Sequence, residues 1–423
     1  MSVDYDLIII GGGMVGASLA CALAEQGLHI GLVEARSLFD RSDRGNDERS
    51  LALAYGTRLI FEGLGLWGDI DNVTPIHQIH ISDRGHPGAA RLDNREQGVE
   101  ALGYVAETRH IESALAARLK ALACVDLFCP ASLDTLSVEL TSVRAALRLN
   151  GPVHDISARL LVAADGARSE VRKRLGIAAL RWDYGQTAVV ANVSPERAHR
   201  NIAYERFTNT GPLALLPLNK GRCALVCTVR SDQADAVLAM SDKDFLAFLQ
   251  ERFGDRLGRF LSIGPRQAYP LSMMKSREYT RARVAIIGNA AHTLHPIAGQ
   301  GFNLGMRDVA ALAEIVVDAH LAGHDIGERS VLQAYADWRH WDQRRTVLFT
   351  DGLARLFSNP LAPVRLIRNI GLVAFDVLSP VKRILAQQTM GIGAKSPRLV
   401  RGLPLTPSAA GSKAWRWAAR EML

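Results

Sequence analysis

The chain is predicted to be an α/β protein: a parallel-sheet domain, interrupted by an antiparallel sheet and followed by a helical, basic tail. Three observations predict this. Residues 4–36 (DYDLIIIGGGMVGASLACALAEQGLHIGLVEAR) read as strand, glycine turn, helix and strand, one βαβ unit. From about 187 to 283 the pattern becomes short alternating runs between turns, as in TAVVANV, IAYERF, LALLPL and CALVCTV. At 283–287 a buried-strand pattern returns ahead of a glycine-rich loop and a helix, so the first fold resumes after an insertion.

Each element has its own warrant. The run 7–10 is short and wholly apolar, as a strand covered on both faces requires. The Ala/Leu pattern after the glycines is helical and stops at Gly27, and the second strand closes at Glu34. A polar, charged loop follows at 42–50. Residues 50–67 are predicted helical, as are 108–122, whose apolar residues recur at helical spacing. Residues 158–164 form a strand ending in Asp165-Gly166, and 171–175 continue as a helix. Within the insertion, Asn219-Lys220-Gly221 turns the chain and 242–253 makes one helix; the last long helix is predicted over 307–321. These elements put 1–74, 100–178 and 280–354 in the first domain, 75–99 and 179–279 in the inserted one, and 355–423 in the tail.

The 423 residues, 48% hydrophobic and 22% charged, suffice for two or three domains with buried cores and exclude a disordered or collagen-like chain. Five cysteines without a C-x-x-C pair argue against a disulfide framework or zinc ribbon and fit a reducing compartment. No basic-to-apolar leader pattern opens the sequence, and no run of eighteen apolar residues occurs, so membrane contact is expected to be peripheral. The formal charge of +7 is uneven. Residues 355–423 hold eleven Lys or Arg against Asp376 and Glu421, a net +9, which leaves −2 for the first 354 residues. A basic tail on a slightly acidic body carries no basic reading face, so no nucleic-acid partner is expected.

Gly11, Gly13 and Gly16 form G-x-G-x-x-G between strand and helix. The first glycine permits the tight turn, the second lets a pyrophosphate approach the backbone, and the third lets helix pack on strand. Glu34 ends the next strand, where a carboxylate accepts hydrogen bonds from an adenosine ribose. Asp165-Gly166, at the end of an apolar strand, is either an ordinary turn or a second cofactor-facing one. The third element, GNAAHTLHPIAGQGFNLG (288–305), holds four glycines and a proline between a strand and a helix. It can turn backbone N–H groups, with a helix dipole behind them, toward an anionic or electron-rich ring.

These three elements, in this order over residues 4–321, resemble the single-component FAD-dependent aromatic hydroxylases, and GNAAHTLHPIAGQGFNLGMRDVAALAE resembles their ubiquinone-biosynthesis branch, nearest the 2-polyprenyl-6-methoxyphenol type. The resemblance implies a glutathione-reductase-like, Rossmann-type FAD-binding domain with an inserted antiparallel β-sheet substrate domain. It implies FAD as cofactor, NAD(P)H and O₂ as co-substrates, and hydroxylation of a prenylated phenol through a flavin hydroperoxide. NAD(P)H would bind near Asp165 without a domain of its own. The implied cofactor-binding set is Gly11, Gly13, Gly16, Glu34, Arg49, Arg109, Asp165, Gly288, Asn289, Gly299, Gly301 and Asn303, with His295, Pro296, Gly299, Gln300 and Gly301 forming the loop at the flavin face. Arg49 and Arg109 equally suit ordinary surface positions. The family's usual Gly-Asp stands here as Gly288-Asn289; an amide oxygen still accepts the ribityl hydrogen bond, without the charge. No residue is singled out as the base that ionises the phenol.

His77-x-x-His80 and His292-x-x-His295 lack a completing ligand set, so no metal is expected. In the tail, LAPVRLIRNIGLVAFDVLSP forms either a helix buried against the body or an interfacial helix attracted to anionic lipid. The second option, with a lipid-soluble substrate, implies a cytoplasmic protein held at the inner face of a bacterial plasma membrane, with a place in a biosynthetic protein complex. A prenyl reductase or a non-catalytic FAD-binding scaffold would share the same fold.

Overall fold

The computed structural model describes residues 3–38, 49–86, 88–294, 299–358, 379–393 and 395–406. Around the first βαβ unit five strands run parallel, in the order Val284–Ile286, Val153–Ala163, Tyr5–Ile10, Ile30–Val33 and Val125–Phe128. Leu7, Ile8 and Ile9 are fully buried because helices cover one face of this sheet and an antiparallel hairpin and turns cover the other. The register aligns the carboxyl ends. Ile10 pairs with Ala163 and Val33, and Ala163 pairs with Ile286. Gly11, Glu34, Asp165 and Gly288 therefore all lie just beyond one edge of one sheet, the place where open parallel sheets bind ligands.

The second sheet has nine strands. Its main order is His292–Thr293, Gln267–Ser276, Ala179–Pro195, Cys223–Arg230, Gly211–Pro217, Ile202–Thr208, Gln78–Asp83 and Ala89–Asp93. Alternation sorts its side chains. Cys223, Leu225, Cys227 and Val229 turn to the helix Asp242–Phe253 and bury Phe245, Leu249 and Phe253, while Ala224, Val226 and Thr228 turn the other way. That helix begins where Ser241 Oγ accepts from Asp244 N–H at 3.2 Å, carries Asp242 and Asp244 in its first turn, and stops at Gly254 (φ 84°). Pairs Met274–Thr293 and Lys275–His292 stitch the late glycine-rich loop onto this sheet.

Two expectations need correction. Residues 50–67 are not one helix: Ser50–Ala54 is a strand, paired antiparallel with Gly103–Glu107, and the helix is only Tyr55–Gly63. The cross-strand partner lies about fifty residues away and overrides local propensity. The last helix also starts seven residues earlier than expected, as Gln300–Leu321, because Gly299 (φ 61°) turns directly into it.

Part of the segment assigned to a tail is body. The helix Arg329–Ser358 runs through residue 355 without a break. The helix Ser379–Met390 buries Ala386 and Met390 against Leu92 and Leu102, while Leu399, Val400 and Leu405 join the main core. Arg398 donates two 2.8 Å bonds to the Asp318 carboxylate, and Lys382 pairs with Glu96 at 3.1 Å, so body acids neutralise two of the eleven tail cations. The amphipathic stretch between Pro360 and Pro380 falls almost wholly outside the described residues. Among those described, no helix is long and apolar enough to cross a membrane.

Candidate active site

At the shared strand edge, backbone shape comes first. Gly11 has φ 108°, and a Cβ there would stand 2.5 Å from the Ala164 carbonyl oxygen; only glycine fits so close to the Asp165 turn. A Cβ on Gly16 would overlap the Gly11 carbonyl oxygen outright. At Gly13 the missing Cβ points into open space. The helix Met14–Ala24 has neither a side-chain cap nor an acidic residue in its first turn, so its leading N–H groups and dipole are left for an anion. Glu34 closes the turn by accepting from Gly12 N–H at 2.8 Å and Arg36 N–H at 3.0 Å, each oxygen keeping capacity for a ribose hydroxyl.

These groups line a cavity of about 360 Å³, whose walls include Gly12, Gly13, Glu34, Arg36, Arg49 and Tyr269. Arg49 lies 5.6 Å from the Tyr269 ring centre, a cation–π contact that holds its charge at the rim. Tyr269 and Gln267 come from the second sheet, so the inserted domain supplies one wall. Asp165 Oδ2 accepts from Val171 N–H at 3.1 Å, while its Oδ1 is buried and unpartnered among the described residues. Burial raises this carboxyl above the ordinary range, partly offset by hydrogen bonds from Ser169 and Val171.

The third motif rests on a buried charge network. Gly288 (φ 57°) packs beside Val15, and the neighbouring Asn289 is exposed. Asp308, fully buried, accepts from Gly288 N–H at 3.1 Å and meets His292 Nε2 at 2.7 Å through Oδ2. Its Oδ1 accepts from Arg339 Nε at 2.8 Å and Gln343 Nε2 at 3.1 Å. Arg339 also pairs with Asp342, which accepts from Arg307 Nε at 2.8 Å. Burial by itself would raise the Asp308 carboxyl; His292 and Arg339 outweigh it and hold the group below the usual range. Asp308→Ala should therefore destabilise the protein by about 3–5 kcal/mol in urea unfolding, since buried Arg339 and His292 each lose a partner. A depressed folded pKa contributes stability that is complete above about pH 4 and is lost as pH falls through the folded value. Below about pH 4 the variant's stability should accordingly fall less steeply than the wild type's.

The sequence-derived residues thus divide. Gly11, Gly13, Gly16, Glu34, Arg49, Asp165, Gly288 and Asn289 converge on the strand edge and its cavity. Arg109 does not line the cavity; it pairs with Glu107, which also holds Arg222. Asn303 is a staple: its amide nitrogen donates to Ala52 O and Gly299 O at 2.8 and 2.7 Å, and its oxygen accepts from Ala54 N–H and Thr57 Oγ1 at 2.8 and 2.7 Å. That leaves none of its polar groups for a ligand. Gln300 reaches back to Thr389 O at 3.4 Å, and Gly299 sits tight against Ala52, while the position of a Cβ on Gly301 is open. His295 and Pro296 lie outside the described residues. His80 stacks near Tyr204 at 5.8 Å, and no group of three metal-ligating side chains occurs among the described residues. Gln267, Tyr269 and Asp308 escape sequence reasoning because their partners are distant in the chain; only the spacing of Arg339 and Gln343, one helical turn apart, hints at a shared buried face.

An uncapped helix N-terminus, a cradle open at Gly13, a ribose-positioned carboxylate and an unpartnered Asp165 oxygen together fit a dinucleotide such as FAD. The fold and site define an FAD-dependent monooxygenase, and residues 4–350 match the family described as FAD binding domain. The chain belongs to the ubiquinone-biosynthesis hydroxylases. It is 40% identical over 405 residues to the ubiquinone hydroxylase UbiL of Rhodospirillum rubrum, covering 95% of this chain and 93% of that one. It is 32% identical to the 3-demethoxyubiquinol 3-hydroxylase of Escherichia coli, covering 92% and 98%. Among solved structures, p-nitrophenol 4-monooxygenase PnpA from Pseudomonas putida shares the fold, with a TM-score of 0.76 at 19% identity over 92% of this chain and 99% of that one.

Proposed function

We propose that this protein hydroxylates the phenolic ring of a polyprenylated ubiquinone precursor of the 2-polyprenyl-6-methoxyphenol type, using O₂ and NAD(P)H. One observation carries the reading. From Gln267 in the cavity wall, strand register runs a straight row across the inner face of the second sheet: Val190, Val226, Ala214, Glu205, Ile81 and Ala90. Five of these six side chains are small or aliphatic, a floor suited to a flat ring with an apolar tail.

Bound FAD supplies the redox chemistry. The chain's own residues do the rest. The N–H groups at Gly13 and the helix behind it hold the pyrophosphate, and Glu34 holds the ribose. The Asp308 network fixes the backbone at Gly288, and Asn303 fixes the loop at Gly299. The apolar row keeps water from the reacting ring and orients it by shape. The remaining cations of the tail and its amphipathic stretch support peripheral attachment to an anionic membrane, where such a substrate dissolves.

The FAD-loaded protein, given NAD(P)H and a short-chain prenylated methoxyphenol under oxygen-18 gas, should return a product heavier by one labelled oxygen. NAD(P)H consumption with saturation of a prenyl double bond and no label would identify a reductase instead, and no substrate-stimulated NAD(P)H oxidation would identify a scaffold.

A further inference from the structure

A carboxylate interrupts the apolar row. Glu205 stands in the strand Ile202–Thr208, opposite Ala214 on one side and Ile81 on the other, with Ala203 and Phe207 flanking it on the same face. Four strand intervals of about 4.8 Å separate it from Gln267, roughly 19 Å along the floor from the cavity wall. Its chain neighbours point to the other face and are engaged there: the Tyr204 ring packs edge-on to Phe253, and Arg206 Nε donates to Arg252 O at 3.1 Å. Glu205 itself makes no hydrogen bond or ion pair among the described residues. Glu205 is half-buried by accessible surface, and desolvation pushes its carboxyl up to about 7.

Ionisable groups on the surrounding elements include Asp83, Asp351 and Lys382. Asp83, on the adjacent strand, lies opposite Phe207 and so shares this face with Glu205, one diagonal step away. Tyr184 donates to Asp351 of the helix Arg329–Ser358 at 3.1 Å, and Lys382 of the helix Ser379–Met390 pairs with Glu96. A carboxyl that has no partner among the described residues, set in a row of apolar side chains, costs stability.

We propose that Glu205 is the general base that ionises the phenolic substrate. The inference rests on the hydroxylase reading above and adds the residue that prepares the ring. The substrate O–H bond breaks, the proton bonds to a Glu205 carboxylate oxygen, and the electron pair stays on the phenolate oxygen. No electrons change hands in this step, and the neutral acid afterwards releases its proton to solvent. The phenolate donates into the ring and enriches the ortho and para carbons, which makes them better nucleophiles toward oxygen transfer. A base that titrates near the operating pH is the efficient choice.

The test uses the full-length, FAD-loaded protein with a short-prenyl methoxyphenol and a fluorinated analogue whose hydroxyl ionises at lower pH. In the wild type kcat should rise with pH and level off above about 7. E205Q should lower kcat at neutral pH by about a hundredfold with little change in KM, and should move the rise toward the phenol's own ionisation near pH 10. The fluorinated phenol should restore most of the lost rate, which a merely structural role would not allow. E205D keeps the carboxylate and should retain the wild-type pH dependence at reduced rate, so it decides the matter if E205Q fails to hold FAD. E205Q with the wild-type profile, a loss that the fluorinated phenol does not repair, or E205D without the inflection would each overturn the assignment. Absence of oxygen-18 in the wild-type product would overturn the hydroxylase reading and the base with it; incorporation alongside an unaltered E205Q would overturn the base alone.

Discussion

Gly16→Ala should yield protein without bound flavin and with a reduced folded yield, whereas Gly13→Ala should fold normally and bind FAD weakly. The two substitutions add the same methyl group three positions apart at a common turn, in opposite surroundings. At Gly16 the methyl would occupy the space of the Gly11 carbonyl oxygen, a backbone atom that cannot move without disturbing the turn against Ala164. Overpacking a rigid contact of this kind costs about 1–3 kcal/mol or more, and here the strain falls on the phosphate-binding turn itself. At Gly13 nothing lies within 4 Å, so the methyl enters only the space that the pyrophosphate would fill. Flavin-to-protein absorbance ratio and circular dichroism of the purified variants separate the outcomes. Equal flavin content in Gly16→Ala and wild type would contradict this account of the turn.

A chain ending at Leu378 should lose its fold and its flavin together, while a chain ending at Thr406 should keep both. The segment between those ends buries Met390, Leu399, Val400 and Leu405 against the body. At about 1.5–3 kcal/mol for each fully buried apolar side chain, its removal forfeits on the order of 6 kcal/mol, comparable to the whole net stability of many domains. It would also leave Asp318 and Glu314 without Arg398. The shorter deletion removes only Lys413, Arg416 and Arg420 among the tail cations, with Glu421. It should lower binding to anionic vesicles without lowering the melting temperature. A stable, flavin-loaded chain ending at Leu378 would show that 379–406 is peripheral after all.

Both predictions mark where the sequence was informative. The glycine fingerprint, Glu34 and Asp165 could be read because a phosphate-binding turn demands particular residues at fixed local spacing. The alternation of the inserted sheet was legible for the same reason: a side-chain period of two leaves a local trace. Ser50–Ala54 was misread because its partner, Gly103–Glu107, is distant and nothing in five residues of Ser, Leu and Ala announces a strand. Arg109 was placed by local pattern, yet its charge is taken by Glu107 from the preceding strand's end. The tail was read as peripheral because its cations are conspicuous in composition, and composition does not say that Arg398 faces Asp318.

By itself, the sequence determined the class of fold and the nucleotide-binding edge, since these depend on backbone conformations that only certain residues permit; the flavin chemistry it implied by family resemblance. Tertiary structure alone decided which residues complete the site. Tyr269 reaches the cavity because a second sheet packs across it, Asp308 becomes a hub because one long helix brings Arg339 and Gln343 to it, and Glu205 joins the floor because five strands set it in register with Gln267. Such contacts join residues tens to hundreds of positions apart, and the burial that gives a carboxylate its chemistry exists only after the chain has folded.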